Sequence, residues 1–200
     1  MGVYMFLYKI KKKFFSWAAN IQIFKYPMFC ILFGDNHYKI KGTHMRKILN
    51  TLKPGDILLR KYDHYLGSRI IPGYWSHAAI FVGRNKVVQM LGIGISTEDI
   101  LTFMRCDDIA ILRHNSIDAI VKAVQMAEDL ADEDIKYDYD FKSANDKFYC
   151  TELVAHLYDV TNIPGMTHEY ILPDDMLNIP QIQCVWAKDP KWVQKEKING

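Results

Sequence analysis

Residues 75–83 read WSHAAIFVG and are the segment from which the fold is predicted most directly. Its apolar residues form the kind of run that is typical of a buried strand, with one histidine, His77, inside it. A second apolar run, residues 86–91 (KVVQML), follows after Gly-Arg-Asn at 83–85, which predicts a β-hairpin. A polar ring within a buried strand needs a hydrogen-bond partner. We therefore treat His77 as a candidate functional residue, with a hydrogen-bonded core histidine as the alternative.

Two more strands and two helices are predicted around this hairpin. Residues 57–59 follow a KPGD turn at 53–56, and residues 109–113 (IAILR) form the other strand. One helix begins after Ser116 as N-cap, and residues 150–158 form the other. The first helix has an apolar face made of Ile117, Ile120, Val121, Val124, Ala127 and Leu130. A helix, several strands with a hairpin and then helices, without βαβ alternation, predict an α+β fold.

Cys150 is the most interesting thiol because it opens the second helix. The free backbone N–H groups at a helix start favour a thiolate and can lower a thiol pKa from about 8.5 to roughly 3.5–7.5. The same amides suit a developing oxyanion. His156 lies further along the same helix and points away, so His77 is the best candidate base by elimination. The alternative for Cys150 is a small buried apolar side chain.

Four sequence motifs occur in a recognisable order. They are residues 52–58 (LKPGDIL), 75–83 (WSHAAIFVG), 137–141 with 148–154 (YDYDF and FYCTELV), and 172–176 (LPDDM). Together they resemble the circularly permuted papain-fold cysteine hydrolases of the YaeF/YiiX-like group, which are related to the NlpC-type amidases. The resemblance covers about residues 52–186. It implies a permuted papain-like domain with an antiparallel sheet or small barrel packed on helices. In this domain Cys150 would be the nucleophile and His77 the catalytic histidine.

Gln89 stands where members of this group commonly place an acid that orients the histidine. A hairpin with two or four loop residues would leave His77 and Gln89 on opposite faces, whereas a three-residue loop or one bulge brings them to the same face. A neutral amide can hold a histidine tautomer, as in Cys-His-Asn sites. We therefore expect Gln89 to be the third catalytic residue, with an ordinary polar strand residue as the alternative.

The resemblance implies an amidase or peptidase that cleaves an amide or isopeptide bond through a thioester on Cys150. The substrate would be a peptide or an acyl amide, and the loops at residues 137–141 and 63–75 are the expected pocket walls. Two alternatives stay open. One is a lipid acyltransferase or thioesterase that uses the same residues, and the other is a non-catalytic membrane- or peptide-binding module.

The amino-terminal part lies outside the resemblance. We predict a helical extension over residues 1–50, the hydrolase domain over 51–190 and a tail over 191–200. Helical spacing within the extension predicts an amphipathic helix that packs on the domain through Phe14, Trp17, Ala18, Ile21 and Phe24. The alternative is peripheral membrane contact through residues 1–33. Lys25 and Pro27 interrupt the apolar run, which disfavours a signal peptide or a membrane span.

Composition narrows the function further. The chain has 200 residues and a formal charge of +2 from 25 basic and 23 acidic side chains, which argues against nucleic-acid binding. The four cysteines contain no C-x-x-C pair, and no metal or nucleotide motif occurs, so we expect neither a metal nor a cofactor. Reduced thiols favour a cytoplasmic protein, with membrane association as the alternative. The sequence does not indicate an oligomeric state.

Overall fold

The computed structural model describes residues 22–24, 30–32, 38–63, 65, 68, 71–141, 146–166 and 168–194. We number the elements in chain order. They are β1 Gln22–Phe24, β2 Cys30–Leu32, α1 Gly42–Thr51, β3 Ile57–Lys61, β4 His77–Gly83, β5 Lys86–Leu91, β6 Gly94–Asp99, α2 Ile100–Phe103, β7 Asp108–His114, α3 Ile117–Ala131, α4 Cys150–Leu157, the 3-10 helix Asp174–Asn178, β8 Ile182–Ala187 and α5 Lys191–Gln194.

Six strands form one open antiparallel sheet in the order β6-β5-β4-β3-β7-β8. The strands β3 and β4, which the sequence predicted, lie at its centre, and β5 and β7 flank them. The strands β1 and β2 pair with each other in a separate ladder. This architecture confirms the predicted α+β class and its antiparallel sheet.

The sheet has an apolar core on each face because successive strand residues point to opposite sides. Helices α3 and α4 cover one face, on which the buried side chains include Ile57, Leu59, Ala78, Ile80, Met90, Leu153, Val154 and Leu157. Helices α1 and α2 cover the other face, on which the buried side chains include Ile48, Leu58, Ala79, Phe81, Val87, Ile100 and Phe103. His77 alternates with Ala78 and so belongs to the second face.

Helix α3 begins where predicted, but the face that it buries differs from the predicted apolar face. The Ser116 side chain accepts a hydrogen bond from the Ala119 N–H at 3.3 Å, which confirms the N-cap. Ile117 and Val121 are 75% and 63% exposed, so their placement on the buried face is wrong. The helix meets the sheet through two small buried residues, Ala123 and Ala127. Small side chains allow the helix to approach the sheet closely. With Ala123 and Ala127 turned toward the sheet, the larger residues 117 and 121 lie on the solvent side.

The amino-terminal prediction is partly wrong. Residues 14–21 lie outside the described residues, but Gln22–Phe24 is a strand rather than part of a helix. Ile23 pairs with Ile31 in this ladder, and β-branched residues favour extended backbone. Within the described ranges, no helix is long and apolar enough to cross a membrane. The domain boundaries and a membrane contact through residues 1–33 stay predictions.

Candidate active site

The KPGD turn fixes the central strand β3 to its neighbour β7. Asp56 is buried and accepts hydrogen bonds from the Lys53 N–H at 2.7 Å and from two nitrogens of Arg113 at 2.6 and 2.7 Å. Gly55 has a φ of +87°, which favours glycine, and its carbonyl accepts a hydrogen bond from the Tyr158 hydroxyl. The turn therefore ties β3 to β7 and to the chain that leaves α4.

His77 and Gln89 meet on one face of the sheet. Nε2 of His77 lies 2.9 Å from Oε1 of Gln89. Gln89 pairs with Ala79 in the β4–β5 ladder, two residues from His77, so both side chains point to the same side. The register shifts between Phe81 and Gly83, which is the single bulge that the sequence argument allowed. Gln89 is fully buried, so its contact with the imidazole is shielded from water.

Two charged residues that the sequence analysis did not select extend this contact. Arg60 donates from one terminal nitrogen to Gln89 Oε1 at 3.2 Å, and Gln89 Nε2 donates to Glu98 Oε2 at 2.9 Å. The other terminal nitrogen of Arg60 lies 3.5 Å from Glu98 Oε2. Arg60 could have been noticed in the sequence because a charged residue directly follows the apolar residues 57–59 of the predicted strand. Glu98 lies on β6, which the sequence analysis did not predict.

Cys150 opens α4 and lies beside the start of β4. The residue is 5% exposed, and burial raises the pKa of its thiol. The backbone N–H groups of Ala78, Thr151 and Cys150 itself donate toward the sulfur and lower this pKa, as does the charge of Arg60. Ala78 directly follows His77, so the thiol is held against the backbone of the histidine strand. The described contacts of the sulfur are with backbone groups, and no hydrogen bond joins it to the His77 ring.

The imidazole of His77 is neutral at pH 7. Burial lowers the pKa of His77 to about 3, the positive charge of Arg60 lowers it as well, and the hydrogen bond with Gln89 opposes both effects. The Gln89 oxygen can only accept, so we assign the hydrogen to Nε2 and the lone pair to Nδ1. A protonated thiol and a neutral imidazole are the starting pair for general-base catalysis.

The Tyr-rich segment at residues 137–141 forms part of the surroundings of Cys150. Tyr137 forms an isolated bridge with Phe148, so this segment runs beside the chain that enters α4. Burial raises the pKa of Tyr137, and Cys150 is close enough to raise it further. The role of this segment as a pocket wall stays a prediction, and the other predicted wall, residues 63–75, lies partly outside the described residues.

Cys106, Cys150 and Cys184 form no disulfide within the described ranges. Within the part of the chain that the structure describes, no group of three or more His, Cys, Asp or Glu side chains is placed to hold a metal ion.

Residues 51–198 match the family described as permuted papain-like amidase enzymes, the YaeF/YiiX or C92 family. The chain belongs to this family. No curated protein matches the chain. Membership of the permuted papain-like amidase family confirms the resemblance inferred from the four motifs and makes the protein an enzyme, a cysteine hydrolase in general terms. All four motifs lie within the matched residues.

Proposed function

We propose that the protein is a cysteine amidase that cleaves an amide or isopeptide bond, with Cys150 as nucleophile, His77 as base and Gln89 as the residue that orients the base. The observation that carries this proposal is the position of Cys150 at the start of α4, with its sulfur against the backbone N–H of Ala78, the residue that follows His77 in β4. The hydrogen bond of 2.9 Å from His77 to Gln89 supports it by fixing the imidazole. The helix start adds backbone donors at the thiol.

The reaction begins from the neutral pair. When a substrate carbonyl carbon meets the sulfur, Nδ1 of His77 takes the thiol proton as the S–C bond forms. The imidazolium then gives this proton to the leaving amine as the C–N bond breaks, leaving a thioester on Cys150. His77 next deprotonates a water, which attacks the thioester and releases the acid and the thiol. The ring and the thiol must approach for the first step, and such contacts often tighten only when substrate binds.

Aromatic side chains near the thiol support a substrate that has an apolar group beside its scissile bond. Tyr149 directly precedes Cys150, and its ring lies 5.3 Å from that of Phe141. Phe141 is 38% exposed and also packs at 5.6 Å on Tyr170. An acyl chain or an apolar peptide side chain would bury surface on these rings.

A substrate screen tests the proposal. The purified full-length protein is incubated with a library of acyl amides and peptides, and products are identified by mass spectrometry. Cys150→Ser and His77→Ala are expected to lower turnover by about 1000-fold or more, since catalytic groups of this kind act as a unit. Cys184→Ser, which changes a half-buried thiol on β8, is the matched control and should retain activity.

Each outcome of the screen has a distinct meaning. Hydrolysis that persists in Cys150→Ser would contradict the proposed nucleophile. An acyl group that passes from Cys150 to an alcohol or amine instead of water would identify the acyltransferase alternative. If no substrate turns over and an electrophilic acyl probe does not label Cys150, the proposed role of Cys150 as the nucleophile is wrong.

A further inference from the structure

Four side chains on adjacent strands meet on the sheet face that carries His77. Arg60 on β3 pairs directly with His77 on β4. Gln89 and Glu98 come from β5 and β6, the next two strands of the sheet. Their registers place each one diagonally from its neighbour, where long side chains make contact. The result is a continuous row of guanidinium, imidazole, amide and carboxylate groups.

The Gln89 amide is surrounded by groups with fixed donor and acceptor roles. A guanidinium only donates, and Arg60 lies 3.2 Å from Gln89 Oε1. A carboxylate only accepts, and Glu98 lies 2.9 Å from Gln89 Nε2. Turning the amide over would place its NH₂ group against the guanidinium and its oxygen against the carboxylate. Two charge-assisted hydrogen bonds would then become two repulsive contacts.

We propose that Arg60 and Glu98 are positioning residues that fix the tautomer of His77 through the Gln89 amide. With Oε1 turned toward the ring, His77 carries its hydrogen on Nε2 and keeps the lone pair on Nδ1. A reversed amide would favour the hydrogen on Nδ1, and that nitrogen could then not accept the thiol proton. This inference rests on the proposed role of His77 as the base, but the tautomer can be measured without any substrate.

Burial and charge explain why Arg60 and Glu98 are both needed to hold the Gln89 amide. Arg60 is 7% exposed, and its guanidinium lies 4.3 Å from the centre of the Phe103 ring. Glu98 compensates this buried charge from 3.5 Å. Removing the carboxylate therefore removes the acceptor for the Gln89 amide and leaves Arg60 without its counter-charge. Glu98→Gln keeps an acceptor without the charge, whereas Glu98→Ala keeps neither, so the two variants separate these effects.

The tautomer is read directly by nitrogen-15 NMR of the histidine rings in the full-length protein. The signals of His77 are assigned by their loss in His77→Asn. We expect the Nε2–H form in the wild type and in Glu98→Gln, and a population of the Nδ1–H form in Glu98→Ala and Arg60→Met. Glu128→Ala, which changes a half-buried glutamate on α3, is the control and should leave the His77 signals unchanged.

Alkylation of Cys150 is measured on the same variants. Loss of an orienting partner should lower the rate of Cys150 alkylation about tenfold or more in Glu98→Ala. Glu98→Gln should retain most of the wild-type rate. An Nδ1–H form in the wild type, or an unchanged Nε2–H form in both Glu98→Ala and Arg60→Met, would overturn the inference. A changed tautomer with unchanged Cys150 alkylation would support the inference and contradict the proposed function of His77.

Discussion

Asp174 and Trp75 join the last sequence motif to the strand that carries His77. Oδ1 of Asp174 accepts the Trp75 N–H at 2.7 Å, and Oδ2 accepts the Tyr74 N–H at the same distance. Gly73 has a φ of +99°, and a Cβ there would lie 2.5 Å from Oδ2, so a side chain would displace this carboxylate. Asp174 therefore determines where β4 begins and, two residues after Trp75, where His77 lies.

The first prediction concerns this carboxylate. Asp174→Asn leaves one good acceptor for two N–H groups, and Asp174→Ala leaves none. We expect turnover to fall about tenfold in the first variant and about 100-fold in the second, mainly in kcat, because misplacing a catalytic group has effects of this size. Steady-state kinetics on a substrate from the screen measures this, with the surface variant Asp132→Asn as control. A lower melting temperature with unchanged kcat would show that Asp174 has a structural role only.

The sequence predicted much of the sheet but could not choose the register of its central hairpin. The turn contains two residues, Arg84 and Asn85, with φ values of +50° and +61°. Such a turn alone would place Gln89 on the face opposite His77. The bulge between Phe81 and Gly83 reverses that outcome. Whether a strand bulges depends on how both of its faces pack, which local sequence does not determine.

Residues outside the family motifs were harder to predict for a similar reason. Strand β6 is partly exposed and partly polar in sequence (GISTED), so its apolar pattern is weak, and Glu98 was missed with it. Arg60 could be selected only once the sheet places its side chain near His77 and Gln89. Cys150, His77 and Gln89 could be selected because the motifs and the helix start identify them without knowledge of tertiary contacts.

The ion pair between Asp56 and Arg113 should contribute strongly to stability. Asp56→Ala leaves a guanidinium that is only 19% exposed without its partner. Breaking one side of a buried pair typically costs about 3–5 kcal/mol, and we expect a similar loss in the free energy of unfolding. Chemical denaturation measures it. The exposed residue Asp134, which pairs with Lys136, is the control, and Asp134→Ala should change stability little. Equal effects of both variants would contradict the prediction.

His77 should make the protein sensitive to acid. Its pKa is about 3 in the folded protein, against about 6.5 in an unfolded chain, so the unfolded state binds the extra proton first as the pH falls. The stability present above pH 6.5 is therefore lost progressively toward pH 3. Between pH 7 and 4.5 we expect the wild type to lose about 2 kcal/mol more than His77→Asn. Chemical denaturation at pH 7 and at pH 4.5 tests this. His156→Asn, on the exposed side of α4, is the control and should lose as much stability as the wild type.

Glu152 should have the opposite dependence on pH. Burial raises the pKa of Glu152 to about 7, the nearby Asp138 raises it too, and a hydrogen bond from the Tyr149 N–H lowers it. The folded state therefore holds the proton more tightly, and stability present below pH 4.5 is lost as the pH rises through about 7. We expect Glu152→Gln, which keeps an acceptor, to match the wild type at pH 4.5. At pH 8 it should be more stable by about 1–2 kcal/mol after allowance for partial exposure.

Melting temperatures of wild type and Glu152→Gln at pH 4.5 and 8 measure this difference. Glu128→Gln is the matched control because it also changes a half-buried helical glutamate to its amide. A gap between wild type and Glu152→Gln that is the same at both pH values would show that ionisation of Glu152 does not contribute.

The last prediction separates orientation of His77 from its charge by two changes at Gln89. Gln89→Ala removes the acceptor for Nε2 of His77 and should lower the alkylation rate of Cys150 by about 10–100-fold. Gln89→Glu keeps an acceptor and adds a carboxylate beside the imidazole, which raises the His77 pKa because it favours the charged ring. Arg60 lies against both this position and Glu98, so its charge opposes the repulsion between the two carboxylates.

A protonated His77 stabilises the Cys150 thiolate, so alkylation in Gln89→Glu should begin at lower pH than in the wild type. Rates measured from pH 5 to 9 give both results, with Gln125→Ala on the exposed side of α3 as control. Identical pH profiles in wild type and both Gln89 variants would mean that Gln89 neither orients nor tunes the base.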